Sequence, residues 1–229
     1  MLTWLLKTGG NVPFEALLIM LFSYGVLVFV MLPVHEMAHA LAAHWLGDDT
    51  AKWNGRLKFN PLRHLDPVGT TMLVLFGIGY ARPVPINPYN FRNQRSGMAL
   101  SALAGPLSNL LMAFASVALF RVCCLFVEDW TVLSYLWIAL INVFAAVNIS
   151  LAVFNLLPIP PLDGSKIFGF FLPDRWVWTM ERYSRYIGFV LMALLFSGAL
   201  DVPLDFLRET FCNLFGKLFG FPDLFNGYI

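Results

Sequence analysis

The sequence is poor in charge: Asp, Glu, Lys and Arg together supply only 13% of its 229 residues, whereas 59% are hydrophobic. A chain with so few charged residues is typical of an integral membrane protein, and we predict that class from composition alone. The formal net charge is only +1, and the basic residues are scattered rather than gathered along one face. This distribution argues against nucleic acid as a partner.

Cysteine is also scarce. The three cysteines are Cys123, Cys124 and Cys212; they form no C-x-x-C pair and lie in apolar surroundings. We therefore expect each to be a small buried hydrophobic residue, and no disulfide framework is indicated.

Long apolar runs, by contrast, are abundant, and the five that matter lie at 14–46, 68–80, 98–120, 132–157 and 187–204. A membrane-spanning helix needs about 20 residues. The third and fourth runs meet this length, and the fifth meets it marginally. The first run is long enough to tilt or bend around Pro33, whereas the second is too short to cross. We expect that second run to be re-entrant or membrane-associated.

These runs predict an all-α polytopic membrane protein with about four transmembrane helices, together with the re-entrant or membrane-associated segment, which we expect to carry short β strands. Pro83, Pro85 and Pro88 are compatible with an exposed strand edge or with a stiff loop. From Leu204 onward the apolar residues share one helical stripe, which predicts a C-terminal interfacial helix: Phe206, Leu207, Thr210, Phe211, Leu214, Phe215 and Leu218. The whole chain, 1–229, is expected to be one membrane-embedded domain, with a core at about 14–170 and C-terminal helices at 175–229.

The basic residues predict the orientation in the membrane. If 68–80 does not cross, loops 47–97 and 158–185 lie on one side and carry seven and four basic residues, eleven of the fifteen in the chain. The positive-inside rule makes that side cytoplasmic. The first run and run 132–157 then both cross toward the cytoplasm, so their C-terminal ends lie at a similar depth.

His35, Glu36 and His39 spell H-E-x-x-H within the first apolar run, and Glu36 is the only carboxylate between positions 16 and 46. Positions i and i+4 share a helix face, so the two imidazoles can bind one zinc ion while Glu36 reaches a bound water molecule as a general base. A carboxylate inside a bilayer is costly and usually faces a partner or a water-filled cavity. The alternative is that these groups only hold helices together.

Asp163 is the natural third ligand, since it follows the prolines that end the run 132–157. Non-helical backbone at membrane depth occurs only where it is buried in protein or lines a water-filled cavity, and Gly164 permits the turn that aims the carboxylate. Two histidines and one carboxylate leave the fourth zinc position open, as a hydrolytic site requires. The alternative is an ordinary loop in which Asp163 caps the following helix.

The remaining polar residues carry weaker signals. His44 lies five positions beyond His39, off the shared face, and is expected to be an interfacial histidine. His64 and Asp66 are expected to make local turn hydrogen bonds rather than a second metal or proton site. Asn148 and Asn155 are seven residues apart and share a face that leads toward Asp163. They either line the site or bond neighbouring helices.

Taken together, these motifs resemble the site-2 protease family of intramembrane metalloproteases, in its minimal bacterial form without PDZ or CBS domains. The family's H-E-x-x-H falls on residues 35–39, and its N-x-x-P-x-x-x-L-D-G falls on residues 155–164. A third element, G-P-x-x-N, falls on Gly105, Pro106 and Asn109 in the run between them. The segments 60–67 and 81–88 also look like the family's connecting region, and the resemblance covers roughly residues 14–170.

The resemblance implies zinc-dependent cleavage of a peptide bond in or near the transmembrane helix of a membrane-protein substrate. It implies one zinc ion per chain, Glu36 as the base, and Asn109 in contact with the substrate or the developing oxyanion. The expected location is a bacterial inner membrane, with the active site toward the cytoplasm and the lipid bilayer as surroundings. The alternatives are a membrane zinc transporter or metal sensor, and a catalytically silent member of the family.

Overall fold

The computed structural model describes residues 21–58, 60–76, 79–126 and 132–221. Within these ranges the chain is helical, with nine α-helices and one short 3-10 turn at Pro88–Asn90. The helices are α1 Leu21–Trp45, α2 Thr50–Trp53, α3 Pro61–His64, α4 Pro67–Phe76, α5 Gln94–Phe126, α6 Val132–Asn155, α7 Asp163–Gly169, α8 Asp174–Phe196 and α9 Asp201–Leu218. Helix α5 is central, because α1, α6 and α7 all pack against it.

Helix α1 contains a π-helical turn, Leu27–Met31, just before Pro33. Proline has no N–H to donate to the carbonyl four residues earlier, so the wider turn lies where the regular hydrogen-bond ladder is interrupted. The irregularity predicted at Pro33 therefore takes the form of a widened turn. From Leu32 to Trp45 the helix is regular and carries the H-E-x-x-H residues.

Small residues let the backbones of α5 and α6 approach closely. Ala113 and Val117 of α5 and Ala145 and Ile149 of α6 are completely buried in one cluster, together with Cys212 of α9. The expectation that Cys212 is a buried hydrophobic residue is thus met, whereas Cys123 and Cys124 are only partly buried.

The number of membrane spans differs from the prediction. Among the described residues, two helices are long and apolar enough to cross a membrane, Leu21–Trp45 and Gln94–Leu125. The pair α8 and α9 would be a third if it forms one broken span. In α6 the apolar helical stretch among the described residues, Ala139–Asn155, is only 17 residues long. The count of about four is therefore not supported.

The predicted span 187–204 is interrupted for a local reason. Gly198 has a φ of +74°, a left-handed conformation that favours glycine, and it separates α8 from α9. The two helices are bent by 82° relative to each other. Helix α4 has ten residues, which corresponds to about 15 Å, half the thickness of the hydrocarbon core. It is too short to cross, and its re-entrant character stays a prediction.

The prediction of short β strands is wrong for the described residues. In the described ranges the strand pairing is limited to one antiparallel bridge between Leu65 and Ala81, and residues 82–87 belong to no helix or strand. Each proline at 83, 85 and 88 favours an extended conformation in the residue before it, so we describe this segment as extended. Alternate N–H groups of an extended chain point to opposite edges, so Pro83 and Pro85 remove the donors from one edge. That edge cannot maintain a ladder.

The C-terminal helix forms as expected, and its predicted apolar stripe is buried only in part. Leu204, Phe211, Phe215 and Phe219 pack against the cluster of α5 and α6. Phe206 of the predicted stripe is 69% exposed, and Leu214 and Leu218 are also more than half exposed. The interfacial position of α9 stays a prediction.

Candidate metal centre

Two helices bring His35, His39 and Asp163 together. The Nε2 atoms of His35 and His39 are 3.0 Å apart, and the Oδ2 atom of Asp163 lies 3.2 Å from the first and 3.1 Å from the second. Both imidazoles are buried, with 5% and 6% exposure, and the side chain of Asp163 is 13% exposed. We call these three atoms the ligand triangle.

Hydrogen bonds on the far side of each ring define which nitrogen carries the proton. His39 Nδ1 donates to the backbone carbonyl of Ser101 at 2.7 Å, and His35 Nδ1 donates to Oδ1 of Asn109 at 3.1 Å. Both partners are acceptors, so the proton of a neutral imidazole sits on Nδ1 in each ring and Nε2 presents a lone pair.

The ligand triangle fits a zinc ion on two grounds. First, two imidazole lone pairs and a carboxylate oxygen point at one another, an arrangement that is repulsive unless a cation lies between them. Second, ligands about 2.0 to 2.1 Å from a tetrahedral zinc ion lie about 3.3 to 3.4 Å apart, close to the observed edges. The group can therefore hold zinc, with a fourth position left for water.

Helix α5 supplies the wall behind the two imidazoles. A Cβ atom at Gly105 would lie 2.4 Å from Cε1 and Nε2 of His39 and 2.7 Å from Cε1 of His35. Only glycine leaves room for both rings at this point. Pro106 removes the N–H that would bond the Ala102 carbonyl, so it loosens the same turn whose Ser101 carbonyl holds His39.

Asp163 begins α7 and does not cap it. The N-cap residue is Leu162, without a side-chain cap, and the Asp163 carboxylate turns toward the imidazoles instead. Its other oxygen, Oδ1, lies 3.9 Å from Nζ of Lys166. A Cβ at Gly164 would lie 2.2 Å from the Leu157 carbonyl, so the turn that presents Asp163 requires glycine there.

The triangle opens into a cavity of about 650 Å³, which we call the cleft. Glu36 lines the cleft next to His35 and is partly buried. Among the described residues its carboxylate forms no hydrogen bond or ion pair, so it is free to act on a molecule in the cleft. One wall is the extended segment around Pro83 and Val84, and the opposite wall is the end of α6.

The other predicted residues separate into two groups. Asn155 lines the cleft and donates from Nδ2 to the Leu151 carbonyl. Asn109 does not line it; its side chain is completely buried behind His35. Asn148 is also completely buried and donates to the Phe144 carbonyl within α6. The shared face of Asn148 and Asn155 therefore does not extend along the cleft.

The remaining histidines lie outside the ligand triangle. His44 pairs with Asp49 through a short contact between Nδ1 and Oδ1. Asp66 makes the local bonds that were predicted, because it accepts from the N–H groups of Val68 and Gly69 at the start of α4. His64 is completely buried, and its ring nitrogens have no hydrogen bond of ordinary geometry among the described residues, but the backbone of Lys58 is close enough to act on its pKa, so local turn bonding stays a prediction. Burial lowers its pKa.

The extended wall of the cleft is fastened to the end of α1 by Asp48, which is completely buried. Its carboxylate accepts from the N–H of Asn87 and from Nδ2 of Asn90, both at 2.7 Å, and from the N–H of Thr50 at 3.0 Å. Burial raises the pKa of Asp48, but the hydrogen bonds from Thr50, Asn90 and Asn87 outweigh it and leave the pKa below its usual value.

Three contributors to the site were not found from the sequence. The Ser101 acceptor is a backbone carbonyl, for which no side-chain pattern exists. Lys166 could have been found, because it is three positions after Asp163 on a helix and therefore on the same face. Arg208 lines the cleft from α9 and pairs with Asp205 at 2.8 Å. Its signal is a lone cation beside an apolar helix face.

Known proteins resemble this chain over much of its length. Residues 125–196 match the model of peptidase family M50, a stretch that contains Asp163 but not the H-E-x-x-H residues. A Bacillus subtilis protein with the provisional name zinc metalloprotease YwhC is 36% identical over 200 residues, which are 84% of this chain and 90% of that protein.

Two more distant relatives carry names of the same kind. A Methanocaldococcus jannaschii protein, provisionally named zinc metalloprotease MJ0611, is 28% identical over 177 residues, 74% of this chain and 83% of its own length. A Mycolicibacterium smegmatis protein, provisionally named zinc metalloprotease Rip2, is 31% identical over 136 residues, 57% of this chain and 50% of its own length. No solved structure matches the chain significantly.

Proposed function

Because the chain belongs to peptidase family M50, the site-2 protease family, we propose that it is a zinc-dependent intramembrane endopeptidase. It hydrolyses a peptide bond in or near the transmembrane helix of a membrane-protein substrate. The observation that carries this proposal is the ligand triangle beside Glu36 at the wall of a cleft between apolar helices. A metal site with an adjacent free carboxylate is the arrangement that peptide hydrolysis requires.

In this proposal His35, His39 and Asp163 hold one zinc ion per chain. Zinc held there would supply a Lewis acid, able to lower the pKa of a water molecule toward about 7 and to polarise the scissile carbonyl. Lys166 lies near the second oxygen of Asp163 and helps to keep Oδ2 turned toward the histidines. The apolar walls limit the cleft's contact with bulk water and strengthen the electrostatic interactions inside it.

Glu36 is the general base. It follows His35 directly on α1 and faces the cleft, so its carboxylate can accept the proton of the attacking water. The same carboxyl group then donates that proton to the leaving amine, which completes the exchange without another titratable residue. Glu36 is not one of the three ligands, because the ligand triangle is complete without it.

The residues around the ligand triangle position its three ligands. Asn109 fixes the tautomer and the orientation of His35, and the Ser101 carbonyl does the same for His39. Gly105, Pro106 and Gly164 supply the space and the backbone course that these contacts need. Asn155 is the amide that faces the cleft, so it is the one we assign to contact with the substrate. Asn148 holds α6 in its packed position.

The extended segment beside the metal centre is suited to hold an unwound substrate. A helical peptide bond is closed to attack, so the substrate must become extended locally. Between positions 83 and 86 only Val84 and Ile86 have N–H groups, and both residues line the cleft. An extended substrate can accept hydrogen bonds from these two groups as an added strand does.

We place the enzyme in a bacterial inner membrane with the cleft toward the cytoplasm. The support is the unequal distribution of basic residues, eleven of fifteen of which lie in the loops 47–97 and 158–185. Both ligand-bearing helix ends border these loops. Water can therefore reach the cleft from the side where the loops lie.

The decisive experiment measures zinc content and proteolysis in the same preparations. Purified protein should contain about one zinc ion per chain. His35→Ala and Asp163→Ala should lose zinc and activity together, whereas Glu36→Gln should keep zinc and lose only activity. Loss of zinc from Glu36→Gln would mean that Glu36 is a ligand, and the assignment of the base would be wrong.

The substrate class is tested with pairs of single-span membrane proteins in proteoliposomes. Asn, Gly or Pro within the substrate span should raise cleavage, and Leu at the same positions should lower it, because Gly or Pro costs about 1 to 3 kcal/mol in a helix interior. A chelator and Glu36→Gln serve as controls. Zinc flux across sealed vesicles without Glu36-dependent proteolysis would instead support a transporter.

A further inference from the structure

A second, polar cavity lies beside the cleft, on the far side of the extended segment. It has a volume of about 390 Å³ and is lined by Asn54, Arg56, Arg63, Arg82, Pro83 and Pro85. Pro83 lines this cavity and the cleft, so the two share a wall. We call the second cavity the arginine pocket. It plays no part in the proposed proteolysis.

No carboxylate among the described residues pairs directly with the positive charge in this pocket. Three arginines line it, and no carboxylate belongs to its described lining. Within the described ranges none of these three arginines forms an ion pair. Arg56 is only 6% exposed, and it donates to carbonyl oxygens alone, those of Arg63, Arg82 and Pro83. A buried cation without an anionic partner is costly.

The electrostatics agree with the geometry. Burial and the neighbouring charges of Arg82 and Arg63 lower the pKa of Arg56, while Glu36 acts in the opposite direction. Guanidinium groups remain charged in proteins nonetheless, so the three positive charges persist side by side. An external anion that enters the pocket would relieve this repulsion.

We propose that the arginine pocket binds the phosphate group of an anionic lipid or a free phosphate ester. The planar donors of arginine match the oxygens of phosphate, and the residues at the mouth, Arg63 and Arg82, are exposed and accessible. A basic pocket at the edge of a membrane protein is a common receptor for an anionic headgroup.

Two exposed apolar side chains, each adjacent in sequence to a residue of the pocket, favour the lipid as the source. Trp53, adjacent to Asn54, is 76% exposed, and Leu62, adjacent to Arg63, is 74% exposed. Tryptophan is enriched where headgroups meet the hydrocarbon, and exposed leucine gains free energy by contacting acyl chains. A lipid would satisfy the arginines and these apolar groups at once, whereas a free phosphate would satisfy only the arginines.

The test measures lipid binding to the full-length, zinc-loaded protein in detergent by native mass spectrometry. Phosphatidylglycerol is the anionic probe, and phosphatidylcholine is the control. The double variant Arg63→Gln/Arg82→Gln should weaken phosphatidylglycerol binding about fivefold for each arginine, or about 25-fold in total. The double variant Arg182→Gln/Arg185→Gln removes the same charge from exposed positions of α8 and should bind like wild type.

Retained zinc content shows that each variant is folded, which keeps the lipid result interpretable. Glycerol phosphate and inorganic phosphate are added as soluble competitors. Displacement of phosphatidylglycerol by either one assigns recognition to the phosphate group alone, and its absence assigns the site to the lipid. The proposal is overturned if phosphatidylglycerol binds the Arg63→Gln/Arg82→Gln protein as tightly as wild type, or if phosphatidylcholine binds wild type equally well.

Discussion

Replacing Gly105 with alanine should remove zinc while leaving the fold intact. The new Cβ would lie 2.4 Å from two atoms of the His39 ring and 2.7 Å from the His35 ring. Carbon atoms in contact are normally at least about 3.5 Å apart, so each ring must retreat by about 1 Å. The hydrogen bonds from Nδ1 to Ser101 and Asn109 oppose that retreat.

A shift of this size opens the ligand triangle, whose edges are only 3.0 to 3.2 Å. Weakened support of a metal ligand typically costs 10- to 100-fold in affinity, and a displaced ligand costs more, so we expect zinc affinity to fall at least about 100-fold. Helical propensity acts in the other direction, since alanine is about 1 kcal/mol better than glycine in a helix. The loss of zinc should therefore not reflect unfolding.

The assay is zinc content by mass spectrometry against a buffered series of free zinc concentrations, with circular dichroism as the check on folding. Gly25→Ala is the matched control, because Gly25 also lies in a long apolar helix and its Cβ would meet nothing within 4 Å. Wild-type zinc affinity in Gly105→Ala would refute the geometry, and so would an equal loss in Gly25→Ala.

Three further predictions concern a residue behind the ligand triangle, the buried Asp48 and the orientation of the loops. Asn109→Leu should weaken zinc binding about 10- to 100-fold, because His35 loses its Nδ1 acceptor, whereas Asn148→Leu should leave zinc titrations unchanged. Asp48→Asn should lower the stability at pH 7 by about 1 to 3 kcal/mol, since one buried N–H loses its acceptor. Folding lowers the pKa of Asp48, so the ionised carboxylate stabilises the folded protein fully above the unfolded pKa of about 3.9, and this stabilisation is lost as the pH falls through the pKa of the folded state. Thermal melts of wild type and Asp48→Asn should therefore converge only below about pH 4. Thiols engineered at positions 58 and 93 should both be protected from labelling at the extracytoplasmic side; labelling of 93 alone would mean that 68–80 crosses the membrane.

The three residues of the ligand triangle were predictable because their sequence signals are local. The i, i+4 spacing of His35 and His39 places both on one helix face wherever that helix packs. The run of prolines before Asp163 marks an end of helix regardless of the partners. Their convergence also follows from the predicted orientation, in which the two ligand-bearing segments end at a similar depth.

The contacts around the ligand triangle and the break between α8 and α9 were not predictable, because they depend on how distant segments pack. Asn109 was assigned to the substrate or oxyanion on the basis of a motif, and its contact with His35 spans 74 residues of sequence. The break at Gly198 is equally hard to see, because apolar residues lie on both sides of Ser197 and Gly198. Composition cannot distinguish a long span from two helices joined by a glycine turn.

Helix α5 determines how accurately the metal site is built. It supplies the Ser101 carbonyl, the space at Gly105 and the Asn109 amide within nine residues of one helix, and each of these meets an imidazole from α1. Asp163 arrives separately, on α7, which also packs against α5. Both sources of ligands are therefore positioned by the same helix. Because Nδ1 of each histidine bonds to an acceptor on α5, Nε2 of each ring is turned toward Asp163, and zinc bound there would offset the repulsion between the lone pairs of the neutral rings and the carboxylate.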